Sequence, residues 1–479
     1  MGLLLRIGVV VFYTPTVFNY YGGDSARYMR LSFSGSSGLF GDNAMPAGYP
    51  AFLAVLRHVE DWLPFTIMTQ HLLGLAGAVL LYAAVRAVGA PRWAALLPVV
   101  VVALSGDELF LEHGIFTEAL WMPLLALAMY LLARAISAER ALWWLVAGGI
   151  ALACSAIARN LSEALPILLA IWAAVALPGT ATLRLRNALA VALPALAVLG
   201  AYLVVAKPIA GGFSGLSENS GFALYSRVAQ FADCNKFTPP PGSEPLCVDT
   251  PPDRRPGPFY WAWSTESPLR SKFAFDMHDS EDQALLSRFA REALVHQPIE
   301  YAEAAGRDFV RFFAPDWGTP RPDSGTDEGA MSFESTAGAA QAVSPPELAD
   351  QYEEAYSGVG DGLAAPAVRS VLGAYQALFR IDGRLLLLLI ALGVVGSILG
   401  RGRARAGASL FLLSGLALLV IPPLFSSYDI RYTIPPINLF AASAAIGLAA
   451  LSERIGREPY EPAGGSRAVG TETSSAGTH

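Results

Sequence analysis

A chain of 479 residues that is 53% hydrophobic and only 15% charged does not have the composition of a soluble domain, where charged residues make up about 25%. Its mean hydropathy of +0.43 points the same way. The net charge of −7 pools residues of two compartments, so it says little by itself, and no nucleic-acid partner is expected. Of the three cysteines, Cys154 sits in an apolar run and reads as a small inert hydrophobe. Cys234 and Cys247 lie in a polar segment and are expected to pair as a disulfide once that segment is exported.

The chain opens on an apolar run from Leu3 to Tyr20, with Arg6 near its start and no small-residue cleavage site after it. It reads as a short first membrane helix that also serves as an uncleaved anchor. A helix needs about 20 apolar residues to cross the hydrocarbon core. In lipid it must satisfy its own backbone, so long apolar runs are helices. By this measure the spans are 3–20, 65–86, 93–105, 115–134, 141–158, 161–178, 187–207, 383–400, 406–425 and 432–452. The third is short, and a very tight turn joins 141–158 to 161–178.

Every second connection is short and rich in arginine: Arg86 and Arg92, Arg134 and Arg140, Arg184 and Arg186, then Arg401, Arg403 and Arg405, with Arg454 and Arg457 after the last span. The positive-inside rule places these connections and both termini in the cytoplasm. The fold class expected is therefore an all-α polytopic membrane protein with about ten transmembrane helices. Residues 1–207 form an N-terminal transmembrane module whose first external loop is 21–64, and 208–382 form a mainly helical extracytoplasmic domain between spans seven and eight. Residues 383–452 supply the C-terminal spans, and 453–479 a disordered tail. Within the inserted domain, 281–313 has helical periodicity interrupted at Pro298. Residues 318–348, built from Gly, Ser, Ala, Pro and acids, read as a mobile loop. No inverted repeat of the transporter kind is visible.

The unusual polar residues gather on the external side. In Tyr21-Gly22-Gly23-Asp24-Ser25-Ala26-Arg27-Tyr28-Met29, Asp24 stands where a new helix should begin. It is either an N-cap or a carboxylate held at the membrane surface, and Tyr28 shares its helix face. Pro46-Ala47-Gly48-Tyr49-Pro50 and the apolar run after it suggest a helix along the interface, or a simple turn. The next external loop brings Asp107, Glu108, Glu112 and His113, with Thr117 and Glu118 just inside the fourth span. An ionisable group within a span is costly, roughly 2.5–3.5 kcal/mol at the centre for Asp, Lys or Arg. Near the helix start the dipole favours an acid, so Glu118 is either a site residue or a helix-start acid. Glu112 and His113 are only two adjacent metal ligands, a weak signal. Arg159 lies outside, against the positive-inside trend, and invites an anion such as a phosphate; alternatively it snorkels or pairs with Glu163. Arg431, in Ser426-Ser427-Tyr428-Asp429-Ile430-Arg431-Tyr432 before Pro435-Pro436, is a second external cation, at a helix start that itself attracts anions. His71, in the outer part of the second span, either joins these arginines or is a buried histidine.

This arrangement resembles the GT-C superfamily of membrane glycosyltransferases, which includes protein O-mannosyltransferases, the lipid A aminoarabinose transferase and the actinobacterial arabinosyltransferases. The likeness runs from residue 1 to about 450 and rests on short motifs in order: Asp24 and Tyr28 early in the first external loop, the Pro46-to-Pro50 stretch, Thr117-Glu118, Arg159, and Arg431-Tyr432 before Pro435. The sequence departs from the family's paired acidic motif, since Ser25 follows Asp24 and Asp42 is the only other acid before Glu60. The resemblance implies a sugar on a polyprenyl phosphate (in bacteria, decaprenyl or undecaprenyl) as donor, and a glycan, lipid or protein as acceptor. It implies a bacterial plasma-membrane enzyme with an extracytoplasmic site and inversion at the anomeric carbon. Asp24 is then the general base, Arg159 and Arg431 bind the donor phosphate, and Tyr28, Glu112, His113, Glu118 and Tyr432 shape the sugar pocket. Some relatives use a divalent cation, but no dedicated cage is evident here. The alternatives are a lipid-linked glycan polymerase or ligase with a diphosphate donor, which would use the same arginines without needing Asp24, and a lipid-linked sugar transporter or flippase. The uncharged centres of most spans speak against transport. A non-enzymatic scaffold would leave the external acids and arginines unexplained.

Overall fold

The structure, a computed structural model, describes residues 1–13, 24–41, 45–209, 215–217, 219–273, 275–276, 279–315, 331–334, 351–352, 354–358 and 364–455. Among them there is no β-strand, only an isolated bridge between Trp62 and Ser357. The chain runs through α1 (Gly2–Phe12), α2 (Asp24–Phe33), α3 (Gly35–Phe40), α4 (Gly48–Val59), α5 (Leu63–Ala87), α6 (Arg92–Leu104), α7 (Gly106–His113), α8 (Glu118–Ser137), α9 (Ala141–Ala158), α10 (Leu165–Ala176) and α11 (Ala181–Ile209). Next come α12 (Ser220–Ala229), α13 (Pro258–Trp263), α14 (Pro268–Ser271), α15 (Ser280–His296) and α16 (Pro298–Arg311) of the insertion. The last four helices are α17 (Pro366–Leu378), α18 (Gly383–Leu399), α19 (Arg403–Phe425) and α20 (Ile434–Ile455).

Each of the ten apolar segments contains a helix, but length and hydropathy carry fewer crossings. Seven helical stretches are long and apolar enough to span, and α6 with α7, bent by 52°, would make an eighth. The chain is a multi-pass membrane protein on that basis. The remaining two, α1 and the stretch 160–176, are shorter apolar helices. Residues 14–20 of the first segment, residues 318–330 and 335–348 of the acidic loop, and the tail from 456 lie outside the described residues. Two boundaries change. Residues 106–113, expected as loop, are helical because Ser105 leaves helical geometry (φ −57°, ψ 122°) and its hydroxyl accepts the Glu108 N–H, which starts α7. The span at 383–400 continues from α17, the two together forming an apolar stretch from Pro366 to Leu399.

The bundle is centred on α20, whose apolar window is 83% buried, whereas that of α11 is 17% buried and faces outward. Trp121, Met129 and Leu132 of α8 pack with Leu145 and Leu152 of α9 and Phe411 and Leu418 of α19 in one continuous core. Small residues allow the closest approaches, as expected where lipid supplies no hydrophobic drive between helices. A Cβ at Gly447 of α20 would overlap the Leu392 carbonyl of α18.

The insertion has its own core, with Tyr225, Phe237, Trp261, Leu269, Leu286 and Phe289 at its centre. Cys234 and Cys247 form the expected disulfide, with Cα atoms 6.0 Å apart. The break at Pro298 separates α15 from α16. At the joint the buried Gln297 side chain accepts the Asp233 N–H (2.8 Å) and donates to Phe231 O (3.1 Å). Helix α16 then docks on the end of α19. Tyr301 Oη donates to Leu424 O (2.9 Å), and Asp308 Oδ2 accepts both Arg227 Nη1 (2.7 Å) and the backbone N–H of Tyr428 (3.2 Å). Asp308→Ala would leave the fully buried Arg227 charge unpaired and should lower stability by about 3–5 kcal/mol, whereas Arg227→Leu with Asp308→Leu should recover most of that. Thermal unfolding of the purified protein in detergent checks both; equal losses for the single and double variants would refute the assignment.

Candidate functional site

The site is assembled where four helix ends meet. Asp429 caps the turn Ile430–Tyr432 by accepting the Arg431 N–H (2.8 Å). That capped turn leads into α20, and the Arg431 side chain is 5% exposed. Glu118, the first residue of α8, has no exposed side-chain surface. Arg431 gives it Nε to Oε1 and Nη2 to Oε2 (2.8 Å), a two-point contact. Arg159 comes from the other side. Helix α9 ends there in extended backbone (φ −154°, ψ 120°), and Nη1 reaches Glu118 Oε1 (2.8 Å) and Thr117 Oγ1 (2.6 Å). Aromatic faces enclose the two guanidiniums: Phe116 lies 4.7 Å from Arg431, and Trp121 and Tyr432 lie 5.5 and 5.6 Å from Arg159.

Asp24 closes the array. It is the first helical residue of α2, and its Oδ2 lies 3.2 Å from Arg431 Nη1, with 34% of the side chain exposed. It is the most open member of a chain running Arg159, Glu118, Arg431, Asp24. Ser25 Oγ donates to Ile115 O (2.9 Å), which ties the start of α2 to the corner before α8. One turn on, Tyr28 stacks edge to face on Tyr49 (5.2 Å). Burial, with Asp24 beside it, pushes the Tyr28 phenol above its ordinary value, so it is a neutral hydroxyl at physiological pH. Tyr49, from the Pro46-to-Pro50 stretch that does begin a helix, donates to Gln70 Oε1 (2.6 Å).

Asp24, Tyr28, Glu118, Arg159, Arg431 and Tyr432 thus come together. Glu112, His113 and His71 join a second buried network instead. Arg6, which stood in the sequence as the polar start of a span, is fully buried in α1. It binds Glu112 through Nε (2.7 Å) and Nη2 (2.8 Å), and Ala103 O through Nη1 (3.0 Å). His71 Nδ1 lies 2.8 Å from Glu112 Oε2, and His71 Nε2 lies 3.3 Å from His113 Nδ1. His113 Nε2 in turn meets Tyr13 O (3.1 Å). Of the other acids, Asp107 binds Arg380 and Gln376, and Glu108 accepts from Asn438 Nδ2 (2.9 Å). The pairing of Arg159 is with Glu118, and Glu163 takes no part. The sequence reading missed Arg6, although a charge in an apolar helix is itself a signal. It also missed Gln70, whose amide donates to the carbonyls of Glu112 and Gly114 and so links the two networks.

No protein-family model and no curated protein matches the chain. Solved structures do. The chain is similar to the apo oligosaccharyltransferase of Archaeoglobus fulgidus, at 12% identity over 95% of this chain and 46% of that one, with a TM-score of 0.36. The same figures hold for that enzyme tethered by a disulfide to an acceptor peptide containing the NVT sequon. For AglB of the same organism in complex with an inhibitory peptide and a dolichol-phosphate they are 13%, 98%, 48% and 0.35. The likeness is to archaeal oligosaccharyltransferase. The chain spans about half the length of the solved structures it matches.

Glu118→Ala would leave two guanidiniums facing each other in a buried site. It should destabilise the fold by about 3–5 kcal/mol, read from thermal unfolding in detergent. A loss below about 1 kcal/mol, the scale of an exposed pair, would show that the array is solvated.

Proposed function

We propose that the chain is a membrane glycosyltransferase of the GT-C kind, moving a sugar from a polyprenyl-phosphate donor to an acceptor hydroxyl with inversion. The observation that carries this reading is the carboxylate of Asp24, a third exposed, held by buried Arg431 beside the partly buried Arg159. A sugar seated with its anomeric carbon between Asp24 and Arg159 meets the general base on one face and the leaving-group stabiliser on the other, as a single inverting displacement requires. The acceptor oxygen attacks that carbon, the bond to the phosphate oxygen breaks, the phosphate takes the electron pair, and Asp24 takes the hydroxyl proton.

The arginines divide the work. Arg431 directs Nε and Nη2 to Glu118 and Nη1 to Asp24, so it fixes the base. Arg159 uses Nη1 on Thr117 and Glu118, and its remaining N–H groups suit a phosphate oxygen. Glu118 is a positioning residue that keeps both cations aimed. Tyr28 and Tyr432 wall the sugar side. Glu112 and His113 act from further back, by fixing the corner before α8. A divalent cation has no convergent carboxylates here among the described residues; Glu118 lies between two guanidiniums and Asp24 on one, and no step passes through a metal. The arginine-rich connections and the end of α20 lie at the other end of the bundle, which supports an extracytoplasmic site and a cytoplasmic end of α20. The insertion docks on the segment that carries Arg431, which supports a role for it in selecting the acceptor.

Transfer of radiolabelled sugar from polyprenyl-phosphate donors, in membranes matched for protein level, tests the base. Asp24→Asn should lower transfer by about 10²–10⁴-fold while donor binding persists; transfer equal to wild type would overturn the mechanism. Arg159→Gln should lower kcat and raise KM for the donor, because the phosphate gains charge as it leaves; kcat and KM both equal to wild type would remove it from phosphate binding.

A further inference from the structure

Helix α20 begins just after Arg431 and ends just after Arg454, so these residues lie about 33 Å apart at 1.5 Å per residue. At the Arg454 end the bundle holds a cleft of about 590 Å³. Three connections enclose it: the α5–α6 turn with Gly89, the α18–α19 turn with Arg401 and Arg403, and the last turns of α20. Half-buried Leu399, Ala404 and Ala450 form an apolar wall over buried Ile446 and Ala449, while Arg401, Arg403 and Arg454 are exposed and stand at the rim. Glu453 is the one carboxylate among the lining residues.

The turn between α18 and α19 is held in place without using the charges of Arg401 and Arg403. Gly402 takes a positive φ of 50°, which lets the chain reverse sharply between them. Arg405 folds back to donate to Gly400 O (3.1 Å) and Ile398 O (2.9 Å). Arg454 leans across to Leu399 O (3.3 Å), which brings the end of α20 to the same turn.

Arginines at this end follow from the positive-inside bias, and a snorkelling side chain needs no ligand. Neither accounts for a concave space of ligand size in which three guanidiniums meet one carboxylate beside an apolar wall. That combination fits an amphiphile with an anionic head. Basic pockets between membrane helices recognise phospholipid headgroups in this way.

We propose that the cleft binds an anionic phospholipid from the leaflet at the arginine-rich end, with Arg401, Arg403 and Arg454 on the headgroup phosphate and the acyl chains along Leu399, Ala404 and Ala450. The proposal is independent of the transferase reading, and the site is remote from Asp24.

The test is native mass spectrometry of the full chain, delipidated in neutral detergent and titrated with phosphatidylglycerol, phosphatidylcholine or inorganic phosphate. Phosphatidylglycerol should bind in preference to phosphatidylcholine. The triple variant Arg401→Gln, Arg403→Gln, Arg454→Gln should bind it roughly 100-fold more weakly. Arg184→Gln with Arg186→Gln, at the same end but outside the cleft, should bind as wild type does. Ala450→Trp, which fills the cleft and keeps every charge, should also lose the lipid, and this holds the test open if the triple variant fails to fold. Equal binding of the two lipids, or unchanged binding by the triple variant or by Ala450→Trp, would overturn the proposal. Displacement by inorganic phosphate would overturn it too, by assigning the cleft to a soluble anion.

Discussion

A carboxylate with no solvent contact inside a helix bundle stays charged only if cations are held against it. Glu118 is in that position, and Arg159 and Arg431 satisfy it from opposite sides. The requirement organises one end of the molecule. The end of α9, the start of α8 and the turn before α20 must converge within hydrogen-bond distance, or the desolvation of three charges is uncompensated. Asp24 then joins at the solvent edge of the array, where a charge costs less and a substrate can reach it. Exposure differs along this chain of charges, from none at Glu118 to about a third at Asp24. Under the proposed mechanism this gradient separates the residues that hold from the residue that reacts.

The surrounding structure supports that end from two directions. On one side the insertion grips the segment after α19 through Tyr301 and Asp308, so the turn that carries Arg431 is anchored by a folded domain. On the other, Arg6, Glu112, His71 and His113 tie α1, α5 and α7 together beneath the corner that leads to Glu118. Gln70 joins that layer to Tyr49 and hence to Tyr28. A substitution in either support is therefore expected to shift the array without touching it.

Much of this was legible in the sequence, for identifiable reasons. Membrane helices announce themselves through apolar length, a one-dimensional property, and the break at Pro298 follows from a missing N–H and a fixed φ. Asp24, Glu118, Arg159 and Arg431 stood out because charges at the ends of spans break the general pattern. Their pairing was not legible, since no periodicity encodes a contact between residues 313 or 407 positions apart. Helix α7 escaped notice although Ser105 and Glu108 have the spacing of a capping box; its polar residues read as loop because their partners, Arg6, Arg380 and Asn438, lie far off in the chain. Arg6 reads in the sequence as a flanking charge, because a charge near the start of a span usually flanks it, whereas here it is paired with Glu112 inside the bundle.

In the proposed mechanism Arg159 receives the donor phosphate while Asp24, held by Arg431, faces the acceptor. An experimental structure with a polyprenyl phosphate bound tests it most directly. Phosphate oxygens are expected within hydrogen-bond distance of Arg159, with Glu118 still bridging both guanidiniums and Asp24 open to the space beside the phosphate. A phosphate bound elsewhere, with the Arg159, Glu118, Arg431 and Asp24 array closed and untouched, would contradict it.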